Sequence, residues 1–308
     1  MDKPAIIVIG SSNTDMIIRA ERIPKPGETI LGGRFLTAHG GKGANQAVAA
    51  ARAGGEVTFV ARVGSDVFGD QAIAAWLTDG LAVEHVSRDA TAPSGVALIF
   101  VSKEGENSIA VAPGANGKLS VPDLHAAREA FATAKVCVMQ LETPLATVEA
   151  GAKMAADHGL LVILNPAPAR PLPVRLLKKI SVLTPNESEA ELLTGIPVSD
   201  VVSAKKAAAA LLAKGVRTVV LTLGPRGALI ADKDGFRMVP GFKVKAVDTT
   251  AAGDVFNGAL AVAIAENQSL DAAVRFANAA AALSVTKAGA QPSAPSRRLI
   301  EKMMLSGG

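Results

Sequence analysis

Short apolar runs alternate along the chain with longer stretches in which alanine and leucine recur at helical spacing. Residues 5–9, 57–63, 136–140, 161–165, 180–184, 218–223 and 228–231 are rich in valine, isoleucine and leucine and have the length of buried strands. Residues 44–53, 68–78, 122–132, 145–157, 187–194, 204–213, 255–266 and 270–285 read as helices. Strands apolar on both faces and separated by helices belong to a parallel sheet covered on each side. The predicted fold is an α/β, doubly wound, mostly parallel sheet flanked by helices. Functional residues in that architecture gather at the carboxyl ends of the strands.

Two regions break the rhythm. Residues 14–36 hold extended runs of mixed polarity and the turn Pro24-Lys25-Pro26-Gly27, and residues 94–111 read as a hairpin turning near Gly105. Neither contains a crossover helix. They are expected to form a small projecting β-sheet, which must cover its apolar face by packing on a second copy or by closing over a substrate. Two ordinary surface hairpins are the plainer alternative. The expected organisation is a core of residues 1–12, 37–93 and 112–308, with residues 13–36 and 94–111 as a lid and dimer interface.

Composition narrows the setting. With 308 residues the chain suits one large domain with at most a small appendage. Cys137 is the only cysteine, in an apolar run that reads as core, so no intramolecular disulfide is available and a reducing compartment fits. No basic-then-apolar leader opens the sequence, and apolar runs such as 259–265 are too short to span a bilayer. A soluble, cytoplasmic protein without a membrane partner is expected. The net charge of +4 comes from scattered Lys and Arg, and the chain has one tryptophan and no tyrosine. Nucleic-acid binding is therefore not expected, while phosphorylated substrates would be attracted.

Several polar motifs interrupt the apolar pattern. Asp248-Thr249-Thr250-Ala251-Ala252-Gly253-Asp254 leads into an alanine-rich helix. It places a carboxylate beside unpaired N–H groups at the positive end of a helix, which favours an anion. An acid next to an anion site suits phosphoryl transfer to a hydroxyl, although a simple N-cap would look similar. Gly40-Gly41-Lys42-Gly43-Ala44-Asn45-Gln46 opens another helix. Its glycines allow close approach of a ligand, Lys42 adds a cation and Asn45 an amide for hydroxyls, or the run is a tight turn. Walker A spacing is absent.

Asn13 and Asp15 follow the first strand and would pair with two vicinal hydroxyls, or they form an Asx turn. Asn186 and Glu189 share one face of a helix start, where they would order a metal-bound water near phosphates or serve as an ordinary cap. The loop Thr222-Leu223-Gly224-Pro225-Arg226-Gly227 opens the backbone to a nucleotide or is a hairpin turn. Other chemistries lack support: His39, His85, His125 and His158 show no zinc spacing, and neither G-x-S-x-G nor an early G-x-G-x-x-G occurs.

In this order the motifs resemble the ribokinase branch of the PfkB carbohydrate kinase family, from Ile6 to about Ser293. Residues 40–46, continuing to Gly54, look like its early glycine-rich signature, and residues 248–258 look like its late one. The resemblance implies a ribokinase-like fold and ATP-dependent phosphorylation of D-ribose at O5. It implies Asp254 as catalytic base, with backbone N–H groups at Ala251, Ala252 and Gly253 as anion hole. Asn13, Asp15, Gly41, Lys42, Asn45 and Glu142 match sugar-binding positions. Asn186, Thr222, Gly224, Gly227 and Asn278 match positions around the nucleotide, and Glu189 an acid associated with magnesium. Asp248, Thr250, Ser284, Lys287, Gly289 and Ser293 match a site for potassium or a similar monovalent cation, Lys287 through its carbonyl only. A homodimer is implied as well.

Departures from the family pattern are small. Ala251 stands where many members carry glycine, which should narrow the backbone without removing the N–H. His39 precedes the double glycine and is expected to face solvent. A carboxylate at a helix N-terminus should have a lowered pKa, which would weaken Asp254 as a base. A related kinase for 2-deoxyribose, another sugar or a nucleoside is the nearest alternative. A non-catalytic sugar or nucleotide sensor is the alternative from another class, and it would not need both Asp254 and Gly253.

Overall fold

The computed structural model describes residues 3–306. β1 (Ala5–Ile9) leads into β2 (Asn13–Arg19) and β3 (Arg34–Gly40), and α1 (Lys42–Arg52) follows. Next come β4 (Glu56–Gly64), α2 (Val67–Thr78), β5 (Val86–Asp89), β6 (Gly95–Val101) and β7 (Asn107–Ala112). The middle of the chain holds α3 (Val121–Ala126), α4 (Arg128–Thr133), β8 (Val136–Met139), α5 (Leu145–Asp157), β9 (Leu161–Leu164), α6 (Val174–Leu177) and β10 (Val182–Leu183). Then follow α7 (Glu187–Thr194), α8 (Val201–Ala213), β11 (Thr218–Thr222), β12 (Ala228–Asp232) and β13 (Gly235–Val239). The last elements are α9 (Ala252–Ala265), α10 (Leu270–Ser284) and α11 (Arg297–Ser306).

The large sheet runs β13-β12-β11-β10-β9-β8-β1-β4-β5. Its pairs are parallel except β11–β12 and β12–β13. Alternation along β1 sends Ile6 and Val8 to the layer with α1, α2, α9 and α10, while Ile7 and Ile9 join α3, α4, α5, α7 and α8 on the other face. The expected α/β fold is thus present, with helices on both sides. The chain reverses its direction of travel across the sheet at β1 and β8, so a crevice opens beyond their carboxyl ends. Trp76 of α2 is fully buried and meets the Phe59 ring of β4 edge-on at 5.0 Å. Cys137 is buried in β8 as expected, and desolvation pushes its thiol pKa up.

Three local expectations need correction. The helix predicted over 122–132 is broken at Ala127, whose N–H donates to Leu124 O at 3.1 Å and tightens the turn. The strand predicted over 180–184 pairs only at Val182 and Leu183. The extended segment from Thr14 does not end at 36: β3 continues pairing with β2 through His39 and Gly40.

β3, β2, β6 and β7 form a separate sheet in that order, with β2 and β6 parallel and the outer pairs antiparallel. Its four connections to the rest of the chain are short, at residues 10–12 from β1, at Gly41 into α1, over 90–94 from β5 and at Pro113 into the helical turn 114–118. They also converge. A Cβ on Gly41 would stand 2.7 Å from Ser12 Cα, and Ala115 N–H donates to Pro93 O at 2.7 Å. His39 is half-buried on this sheet, not solvent-facing as expected, and its Nδ1 is buried without a hydrogen-bond partner.

Candidate active site

The first turn of α9 carries Asp254 into the crevice, where its carboxylate is buried. Asn45 Nδ2 donates to Oδ2 at 2.9 Å and Gln46 Nε2 donates to Oδ1 at 3.0 Å, both from α1. Asn45 Oδ1 is buried without a partner, an acceptor left over for a ligand. Burial raises the Asp254 pKa, and Glu142 adds to this. Lys42 and the two amides oppose the rise without cancelling it. The expected lowering at a helix N-terminus is therefore overturned. Desolvation disfavours the anion more than nearby donors favour it, so this carboxylate accepts a proton more readily than one held at a low pKa.

A buried polar chain supports this carboxylate from behind. Gln46 Nε2 also donates to Asn165 Oδ1 at 3.1 Å, and Gln140 Nε2 donates to Gln46 Oε1 at 2.7 Å. Asn165 Nδ2 reaches Thr184 O at 3.3 Å, Thr184 Oγ1 donates to Asn257 Oδ1 at 2.6 Å, and Asn257 Nδ2 donates to Gly253 O at 2.8 Å. Sequence reasoning missed Gln140, Asn165, Thr184 and Asn257. The signal was available for three of them, since each is the polar last residue of an apolar run that reads as a strand.

Ala251 caps α9 with φ 59° and ψ 12°, so it occupies the left-handed region. That conformation costs alanine roughly 1–2 kcal/mol and explains why glycine suits the position. Ala252 N–H donates to Thr249 O at 3.2 Å. Gly253 differs: a Cβ there would meet nothing within 4 Å, so its face opens onto the crevice. The cavity at this point joins Lys42, Asn186, Glu189 and Thr222 to residues 251–254. Burial lowers the Lys42 pKa, but Asp254, Glu142 and Glu189 together outweigh it and hold the ammonium charged.

Glu142 caps α1. Its Oε2 accepts from Lys42 N–H at 3.0 Å and from the Ser11 hydroxyl, linking the ends of β1 and β8 across the reversal point. Asp15 sits on β2 with its pKa pushed up to about 7, first by burial and then by the charges of Glu142 and Asp254. Asn13 and Gly41 lie at the passages into the small sheet. Asn186 and Glu189 form a capping box: Glu189 N–H donates to Asn186 Oδ1 at 2.8 Å, and Asn186 N–H to Glu189 Oε2 at 2.9 Å. The plain capping reading is thus correct for these residues, which nevertheless also line the cavity.

The pfkB family carbohydrate kinase model matches residues 3–297. A ribokinase from Haemophilus influenzae is 46% identical over 296 residues, covering 96% of this chain and 97% of that protein. The chain belongs to the pfkB family of carbohydrate kinases. A deoxyribokinase from Salmonella typhi is 41% identical over 292 residues, covering 94% and 95% of the two chains. The solved Arabidopsis thaliana ribokinase complexed with ribose and ATP superposes with a TM-score of 0.92 at 34% identity, over 98% of this chain and 99% of that one.

Other family positions fall beside the crevice or behind it. Thr222 ends β11, and Gly224 and Gly227 bound the short turn into β12, so the hairpin reading of that loop is correct. Asn278 of α10 is not free for a nucleotide through its Nδ2, which donates to Val239 O at 3.1 Å and Pro240 O at 3.2 Å. A Cβ on Gly227 would lie 2.1 Å from the same Val239 O, so both residues hold the turn after β13.

Asp248 Oδ1 accepts from Thr250 N–H and Oδ2 from Gly289 N–H, each at 2.9 Å, and Val247 and Asp248 N–H groups donate to Val285 O. Burial would raise the Asp248 pKa, but these N–H groups hold it below its usual value. Ser284 and Ser293 donate their hydroxyl protons to Ala281 O and Ala290 O, which leaves their oxygens as acceptors. Oxygen donors with one ionised carboxylate fit a hard cation, and Glu189 with its neighbouring amide fits a hydrated one.

Proposed function

We propose that the chain transfers the γ-phosphoryl group of ATP to O5 of D-ribose, giving D-ribose 5-phosphate and ADP. One observation carries the reading: a buried carboxylate, Asp254, held by two amides and facing the open Gly253 surface beside Lys42. Asp254 takes the O5 proton as O5 bonds to the γ-phosphorus and the bond to the β–γ bridging oxygen breaks. The Gly253 N–H meets the transferring phosphate, and Lys42 balances its charge. Asn13, Asp15, Gly41, Asn45 and Glu142 hold the sugar. Thr222, Gly224, Gly227 and Asn278 frame the nucleotide, with Asn186 at its phosphate end.

Glu189 would hold magnesium through water, supplying neutralisation of phosphate charge. Asp248, Thr250, Ser284 and Ser293, with the carbonyls of Lys287 and Gly289, would hold potassium or a similar ion, stiffening the loop before α9. Residues of the small sheet act as a lid that excludes water. Phe35 and Leu98 are exposed on the face of that sheet opposite Asp15, and pairing with a second copy to form a homodimer would cover them. A buried lone thiol suits the cytoplasm. Among the described residues no helix is long and apolar enough to cross a membrane.

The 41% identity to a deoxyribokinase favours 2-deoxyribose as second reading. The Asn13 and Asp15 pair favours vicinal hydroxyls and hence ribose. An ATP-coupled assay with ribose, 2-deoxyribose, fructose and adenosine, with and without potassium, tests both. Ribose should give the highest kcat/KM, and turnover of another acceptor in preference to ribose would overturn the reading.

A further inference from the structure

The geometry points to Asn116 as the residue that aims Asn13 at the sugar. Asn116 lies in the short helical turn Gly114–Lys118 after β7 and is only 2% exposed. Its side chain reaches back to the opposite passage of the chain. Asn116 Oδ1 accepts from Ser12 N–H at 2.8 Å, and Nδ2 donates to Ser12 O at 2.9 Å and to Asn13 Oδ1 at 2.8 Å. One amide thus closes both backbone groups of Ser12 and fixes which end of the Asn13 amide points inward. With Oδ1 of Asn13 occupied, Nδ2 is the end presented as a donor.

The surroundings are built to this fit. A Cβ on Gly95, the first residue of β6, would lie 2.3 Å from Asn116 Nδ2 and 2.3 Å from Asn13 Oδ1. Only glycine leaves room for the pair. The residues entering β2, entering β6 and leaving β7 therefore meet at a single side chain, beside the Gly41 passage out of β3. Asn116 holds these passages in one arrangement. Asn13 then presents a fixed donor to one sugar hydroxyl while Asp15, two residues on and on the same face of β2, presents an acceptor to its neighbour. Asn116 touches no substrate in this scheme; it is a positioning residue.

The inference rests on the proposed function, in which Asn13 is a sugar ligand, and its test separates the two. Ribose KM, ATP KM and kcat are measured for Asn116→Ala, Asn116→Asp, Asn13→Ala and the double variant Asn13→Ala/Asn116→Ala. Asn116→Ala should raise ribose KM about tenfold, the upper range for one lost hydrogen bond, with ATP KM unchanged. On the Asn13→Ala background the same substitution should change ribose KM by less than about twofold, because the coupled partner is already gone. Asn116→Asp keeps the shape and the acceptor for Ser12 N–H but loses both donations. The Asn13 amide then turns to donate to the new carboxylate and offers its carbonyl to the sugar, so ribose KM rises comparably even if Asn116→Ala fails to fold. Losses that multiply in the double variant, or an unchanged ribose KM in folded Asn116→Asp, overturn the inference and leave ribose phosphorylation standing. An unchanged ribose KM in Asn13→Ala removes Asn13 from the sugar site and overturns the inference with it.

Discussion

Gln46 Nε2 donates to Asp254 Oδ1 at 3.0 Å while the same nitrogen donates to Asn165 Oδ1 at 3.1 Å. Both amide protons are thus committed, and the carboxylate is fixed from the side away from the cavity. Replacing Gln46 by Met keeps the length and removes the donor. The Asp254 pKa should then rise further, because one of the groups opposing burial is lost. The acid limb of the kcat–pH profile should move to higher pH, with kcat near neutrality down by about tenfold or more and partial recovery in alkali. A limb that stays in place would show that Gln46 only supports packing.

Asp254→Asn tests the base itself. The amide cannot take the O5 proton, so kcat should fall by at least ~10²-fold, while ribose and ATP still bind. Near-normal turnover in the folded variant would exclude Asp254 as the base.

Gly253→Ala separates stability from activity. The position is helical and open, so a methyl group meets no protein atom and replaces a flexible glycine. Thermal denaturation should show a gain of roughly 0.4–1 kcal/mol. In the proposed mechanism the same methyl group stands in the path of the phosphate, and kcat should fall at least about tenfold. Unchanged kcat would place the phosphate elsewhere.

Asp15 makes a prediction about pH. Its ordinary pKa of 3.8 is raised to about 7 in the folded chain. Between those values the folded state keeps a proton that the unfolded state has released, so stability falls as pH rises through that window. Above about pH 7 the loss is complete. Asp15→Asn should therefore be more stable than the parent in alkali, with a flatter dependence of Tm on pH. Ribose affinity of the parent should strengthen as pH rises through the same region, because the ionised carboxylate accepts hydroxyl protons better. A ribose KM for the parent that is flat with pH, together with an unaltered Tm profile in the variant, would count against Asp15 as the titrating group.

Asp248→Ala should remove any activation by potassium and lower kcat by several-fold, since the carboxylate ties Thr250 to Gly289 ahead of α9. Potassium activation that survives the substitution would exclude Asp248 from the cation site.

The central strands were legible because Val, Ile and Leu runs buried on both faces have few other readings, and β1, β4, β8 and β9 match them closely. β13 and β5 were not, since Arg237 in one and Ser87, Arg88 and Asp89 in the other leave no clean apolar run at the two edges. In the site, Lys42, Asn45 and Asp254 announced themselves as polar groups in glycine- and alanine-rich segments. Asn116 gave no local signal at all. Its importance comes from Ser12 and Asn13, 104 and 103 positions away, which only the folded chain brings within reach. The sign of the Asp254 shift was misread for a related reason: burial depends on what packs over a helix end, not on the helix end.

The edge-on contact of Trp76 with Phe59 has a practical consequence. With no tyrosine and no second tryptophan, ultraviolet emission of this protein comes from one indole sealed between α2 and β4. None of the residues proposed to hold sugar, phosphate or cation lies in α2, and the small sheet carries no tryptophan of its own. Intrinsic fluorescence is thus a clean reporter of global unfolding. To follow any movement of the small sheet, an indole would have to be placed there, for instance at Val111, which shares the face of Asp15.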